Sequence, residues 1–121
     1  MHEGEHIDDA VERELFEESG IRARFAELRG VVTEVLQPAT GPQMHYLLLV
    51  CRVEAKTLRL RPSAEGDVRW FDAEELSRAW DKVVPSDRLI LERLVLHRPE
   101  KLYYRCRVVE RAGRYDVKMF R

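Results

Sequence analysis

The sequence predicts a mixed α/β domain in which helices cover a β-sheet. Three observations predict it. An apolar stripe at helical spacing runs through residues 7–19, an alternating or β-branched run fills 21–37 and a nearly uniform apolar one 44–55, and two further alternating runs flank Ala112 and Gly113. At 121 residues the chain suits one domain, 1–121, with length for one modest core.

The elements follow in order. Ile7, Val11 and Leu15 recur every four residues with Ala10 beside them, which predicts a helix over 7–19. Asp8 and Asp9 favour the positive end of its dipole, and Gly20 supplies its stop. The run IRARFAELRGVVTEVLQ reads as one long strand with Gly30 as a bulge. PATGPQ is a loop. MHYLLLVCRVEA is apolar enough for the middle of a covered sheet. After the polar RPSAEGD, VRWFD reads as a short strand. Asp72, with Glu75 three residues on, then caps a helix over 73–83. Pro85 ends it, Ser86 caps a further helix through DRLILERLVLH, and Pro99 stops that one. The tail reads as a hairpin turning at Ala112-Gly113, which either covers a sheet edge or extends the fold.

Composition narrows the function classes. With 45% hydrophobic and 36% charged residues the chain is a globular protein rather than a disordered one. No apolar run reaches the ~20 residues of a membrane span, and the polar start predicts no secretory signal. Cys51 and Cys106 lie in apolar alternations, as buried free thiols do, so a cytoplasmic location is expected. The net charge of −1 hides an asymmetry. Residues 1–20 carry eight carboxylates against Arg13 alone, and residues 101–121 carry seven cations against Glu110 and Asp116. One end suits a cation and the other an anion, or the two neutralise each other.

The acidic end holds the sharpest signal. Glu14, Glu17 and Glu18 stand at i, i+3 and i+4 on one helical face, which is expected to point away from the apolar stripe. Three hard oxygen donors on a rigid face suit Mg²⁺ or Mn²⁺, while a merely solvated acidic face is the other reading. The full string GEHIDDAVERELFEESGI resembles the signature of the Nudix hydrolase superfamily: Gly, five residues, Glu, seven residues, then Arg-Glu-aliphatic-x-Glu-Glu-x-Gly-aliphatic. Glu5 matches the first glutamate, and Arg13, Glu14, Leu15, Glu17, Glu18, Gly20 and Ile21 fall on the rest. AEGDVRWFDAEEL also looks like the strand and acidic helix start that many members carry after the central sheet. The opening glycine would fall before Met1, so the chain is expected to be N-terminally truncated relative to the family pattern, its first strands absent. A second copy of the chain would be one way to cover the edge this leaves, giving a homodimer.

The resemblance implies a Nudix-like mixed β-sheet sandwiched between helices, with the C-terminal β-hairpin added. It implies an enzyme that hydrolyses the pyrophosphate of a nucleoside diphosphate linked to another moiety, with Mg²⁺ or Mn²⁺ as cofactor and a small nucleotide as partner. Glu14, Glu17 and Glu18 would ligate the metal. Glu5 would be an outer ligand or a hydrogen-bond acceptor, and Arg13 would orient one of the carboxylates. Glu65 or Asp67 offers a general base; Glu65 is favoured because Gly66 lets its loop bend, and otherwise Glu14 or Glu18 takes the proton.

Other residues carry less. His45 either contacts a base or phosphate or is a hydrogen-bonded strand-end histidine, and Tyr46 and Trp70 either stack on a base or fill a core. His2 and His6 lack zinc-site spacing. Tyr103, Arg105 and Arg107 share a strand face that suits either a nucleic acid or solvent, and nucleic acid is the lesser expectation. The competing function is a non-catalytic nucleotide-binding module that keeps the helix without turnover.

Overall fold

A computed structural model describes residues 1–61 and 68–121. The RPSAEGD segment, with Glu65, Gly66 and Asp67, lies outside the described residues apart from Arg61. The element order is α1 (Ile7–Ser19), β1 (Ala23–Gln37), β2 (Met44–Ala55), α2 (Ala73–Arg78), α3 (Pro85–Ile90), β3 (Tyr103–Arg111) and β4 (Arg114–Phe120). The four strands form one mixed sheet in the order β2-β1-β3-β4. The expected mixed α/β class is therefore observed, with its tail hairpin. The chain divides into two compact units, Met1–Glu27 with Cys51–Phe71 and Leu28–Val50 with Asp72–Arg121.

The first unit is organised by α1. Gly20 ends the helix in the left-handed region, at φ 78°, and its N–H donates to the Phe16 carbonyl. Ser19 is buried, its hydroxyl donating to the Leu15 carbonyl while accepting from the Ile21 N–H. The Glu12 carboxylate accepts the N–H of Phe25, which ties the helix to the start of β1. The acidic face does not point away from the apolar stripe. At ~100° per residue, Glu18 lies seven positions and about 20° from Val11, so the two share a side. Ile7, Val11 and Leu15 are accordingly only half-buried, and Ala10 is the fully buried member of the pattern.

The second unit carries the main core. In β3, Tyr104, Cys106 and Val108 are buried while Tyr103, Arg105 and Arg107 face outward, the alternation of a half-covered strand. β3 runs parallel to β1 in the register Val31↔Tyr103 to Gln37↔Val109, so Val32 and Leu36 join the buried face. Ile90 and Leu94 cover that face. Gly30 matters here through its missing side chain: a Cβ would stand 2.6 Å from Leu94 Cδ2 and 3.0 Å from the Leu102 carbonyl oxygen. β4 returns antiparallel through a turn in which Ala112 and Gly113 both have positive φ, 50° and 77°.

Four local expectations are corrected. MHYLLLVCRVEA is an edge strand rather than a central one, because β3 takes the other side of β1; Leu47 is 65% exposed. VRWFD is not a strand: the Trp70 indole N–H donates to the Leu58 carbonyl, and no ladder includes residues 68–72. The helix expected over 73–83 keeps its capping box at Asp72 and Glu75 but stops at Arg78. Ala79 leaves helical geometry and a single 3₁₀ turn, Trp80–Lys82, follows. The next helix starts one residue before Ser86, since Pro85 fits the first helical position and Ser86 is buried without capping. That helix passes into a π turn, Leu91–Val95, closed by the Leu96 N–H on the Leu91 carbonyl at 2.8 Å. Arg29 donates to the Leu94 and His97 carbonyls at 2.8 and 2.9 Å, satisfying the helix end.

Candidate metal centre

The site is built around one guanidinium. Arg13, in the middle of α1, donates through Nε to Glu5 Oε1 at 2.8 Å and through Nη2 to Glu5 Oε2 at 3.2 Å. Its Nη1 reaches Glu17 Oε2 at 3.0 Å, one turn along the helix, and its Nη2 makes a long contact of 3.4 Å to Glu14. Glu5 precedes the helix and is fixed from a second side, accepting the His2 N–H at 2.7 Å. The structure thus brings Glu5, Arg13, Glu14 and Glu17 together.

The carboxylates differ in commitment. The Glu5 side chain is 12% exposed, and the Arg13 hydrogen bonds, followed by that from His2, hold its carboxyl down at about 2. The same pairing pushes the Arg13 guanidinium further up from its already high value. Glu14 and Glu17 are open, at 48% and 59% exposed. Glu14 is held only by long contacts, the second being 3.6 Å to the Met1 amino group. Glu18 is exposed and enters no hydrogen bond or ion pair among the described residues.

The donors are hard oxygens, chemically suited to Mg²⁺ or Mn²⁺. One of the three is uncommitted and one loosely held. Arg13 and Glu5 neutralise each other, which leaves the excess negative charge on Glu14, Glu17 and Glu18. Among the described residues no three acidic, His or Cys side chains already converge as a cage. Mg²⁺ does not require one, because it keeps several waters and uses one or two carboxylates plus phosphates.

The remaining candidates are dispersed. Glu65 lies outside the described residues. His45 is exposed near the start of β2, and His2 and His6 are exposed beside the acidic site. Tyr46 and Trp70 are 42% and 52% exposed, so neither fills a core. Arg105 and Arg107 are exposed on β3, and Tyr103 Oη lies 2.8 Å from Thr33 Oγ1. Sequence reasoning passed over Phe16, inside the signature itself. The guanidinium carbons of Arg22 and Arg61 lie 4.7 and 4.8 Å from its ring centroid. The signal for it was the alternation Arg59-Leu60-Arg61, which puts two cations on one side of an extended segment.

Comparison with known proteins gives the family. The family model of the NUDIX domain matches residues 1–94, and the chain belongs to that family. A crystal structure of a mutator MutT protein from Bacillus halodurans is similar over the whole chain and 76% of its own, with a TM-score of 0.74 at 20% identity. That likeness is one of fold. No curated protein sequence matches the chain significantly. Among the described residues no helix is long and apolar enough to cross a membrane.

Proposed function

We propose that this chain, as one Nudix-like domain over 1–121, hydrolyses the pyrophosphate of a nucleoside diphosphate linked to another moiety in the presence of Mg²⁺ or Mn²⁺. Family membership and the signature residues from Glu5 to Ile21 support the reading. The observation that carries it is the division of labour around α1: Glu5, just before the helix, neutralises Arg13, while Glu14, Glu17 and Glu18 on the helix remain exposed, with Glu17 also touching Arg13.

In this reading Glu14, Glu17 and Glu18 would hold the ion. Bound there, a divalent ion supplies charge neutralisation for the diphosphate oxygens and electrostatic activation of water. Arg13 orients Glu17, and Glu5 fixes Arg13, so one carboxylate of the acidic face is held before substrate arrives. Glu65 is the proposed base that accepts the proton of the attacking water, with Glu14 or Glu18 as the other acceptor within the same mechanism. The protein is proposed to work in the cytoplasm on small nucleotides rather than nucleic acid, and as a homodimer if the exposed apolar residues of β2 pair with a second copy.

Incubating the chain with nucleotide sugars, dinucleotides and oxidised nucleotides plus Mg²⁺ tests this. Turnover of at least one class, abolished by chelation and reduced in Glu18→Gln, is expected. No turnover of any class would remove the hydrolase. One observation favours a second reading, a non-catalytic nucleotide-binding module: the described acidic side chains do not already form a cage. That module would bind the same nucleotides and leave them intact.

A further inference from the structure

A second charged feature lies in the first unit, on a different side of α1. Ser19 to Arg22 run beside the segment 56–61, joined by main-chain hydrogen bonds. The Lys56 and Thr57 N–H groups donate to the Arg22 carbonyl at 2.7 and 3.3 Å, and the Arg61 N–H donates to the Ser19 carbonyl at 2.8 Å. The Arg22 N–H donates in turn to Thr57 Oγ1 at 3.0 Å. Between the two segments opens a cavity of about 420 Å³ lined by Gly20, Arg22, Thr57, Arg59, Leu60 and Arg61.

Three arginine residues therefore line one small cavity, and the guanidinium groups of two of them are positioned. Arg22 and Arg61 both stack on Phe16, and Arg61 Nη2 reaches the Phe16 carbonyl at 3.4 Å. The Arg61 stem packs where a side chain at residue 20 would otherwise stand: a Cβ on Gly20 would lie 2.7 Å from Arg61 Cγ. Among the described residues none of Arg22, Arg59 and Arg61 forms an ion pair with a carboxylate. Three like charges on residues lining one cavity raise the local potential there and favour an anion. An adjoining cavity of about 350 Å³ adds Lys56 beside Arg22, and its carboxylate Glu12 is turned to the Phe25 N–H.

We infer that Arg22, Arg59 and Arg61 form a binding pocket for a phosphate-bearing anion, separate from the acidic face of α1. Guanidinium forks match phosphate oxygens in pairs, and three of them favour an anion carrying at least two charges, such as a diphosphate. The pocket is not the proposed metal site seen from another angle. Phe16 lies two residues from both Glu14 and Glu18, about 160° around the helix from each. The proposal is independent of catalysis, since it requires only charge and shape.

Calorimetric titration of the full chain with inorganic pyrophosphate, in EDTA so that no divalent ion bridges to the carboxylates, tests it. Saturable binding that weakens with added salt is expected. Arg59→Gln, whose side chain makes no hydrogen bond or ion pair among the described residues, should weaken it at least threefold. Arg59→Gln with Arg61→Gln should weaken it at least tenfold. Glu18→Gln, on the acidic face, and Arg114→Gln, the same charge loss in the β3–β4 hairpin, should not weaken it. A nucleoside diphosphate that binds tighter than pyrophosphate would identify a nucleotide as the source of the anion, and equal affinities would identify the free anion. Absence of pyrophosphate binding, or equal weakening by Arg114→Gln and Arg59→Gln, would overturn the pocket.

Discussion

Arg13 and Glu5 face each other as a two-pronged ion pair, Nε on Oε1 at 2.8 Å and Nη2 on Oε2 at 3.2 Å. The fork geometry matters because lysine cannot reproduce it. The Glu5 carboxyl, held at about 2 against an ordinary 4.5, is depressed in the folded state. Its contribution to stability is therefore present above about 4.5 and is lost as the pH falls toward about 2. Carboxyl NMR titration should show Glu5 near that low value in the wild type and displaced upward in Arg13→Lys. In thermal melts, Glu5→Gln should be less stable than wild type at neutral pH, with the gap closing as the pH falls from 4.5 to 2.

Gly30→Ala should destabilise the protein by about 1–3 kcal/mol, since the added methyl would overlap Leu94 and approach the Leu102 carbonyl. Denaturant unfolding with an unchanged m-value is the check. Pairing Gly30→Ala with Leu94→Ala should recover part of the loss, because the two changes share one space.

Gly20→Ala meets a different obstacle. At φ 78° an alanine is strained in the left-handed region, and its Cβ would stand 2.7 Å from Arg61. A loss of about 1–2 kcal/mol is expected from the backbone alone. The Arg61 stem is flexible and gives way, so pyrophosphate affinity should fall together with stability.

Cys106 is buried, and burial, reinforced by Glu34 nearby, pushes its thiol up to about 11. Only the thiolate reacts with alkylating agents. At pH 8 the folded protein should therefore leave Cys106 unmodified by iodoacetamide, with labelling only after unfolding, as read by peptide mass spectrometry. Half-buried Cys51, whose thiol is raised by burial, should react slowly rather than not at all.

What could be read from the sequence was local. The helix through Ile7, Val11 and Leu15, the stop at Gly20, the Asp72–Glu75 box and the turn at Ala112-Gly113 each follow from residues within one or two turns of one another. All four are observed. The acidic signature was legible for the same reason. The place of β2 was not, because an apolar strand reads alike whether one or two neighbours pair with it, and that depends on β3, about fifty residues on in the chain. The Arg22, Arg59 and Arg61 cavity escaped notice likewise: its members meet only when 56–61 lies against 19–22. The orientation of the acidic face differs from the expected one although it is a local property, since the seven-residue step from Val11 to Glu18 puts them on one side.

The central claim is that Glu14, Glu17 and Glu18 together bind one divalent ion. Titrating Mn²⁺ into the chain and following the free-ion electron paramagnetic resonance signal tests it most directly. The account predicts one site, with affinity falling at least tenfold in Glu18→Gln, a change no smaller than removing a group that merely orients a ligand. Mn²⁺ that stays free, or binds Glu18→Gln as tightly as wild type, would contradict it.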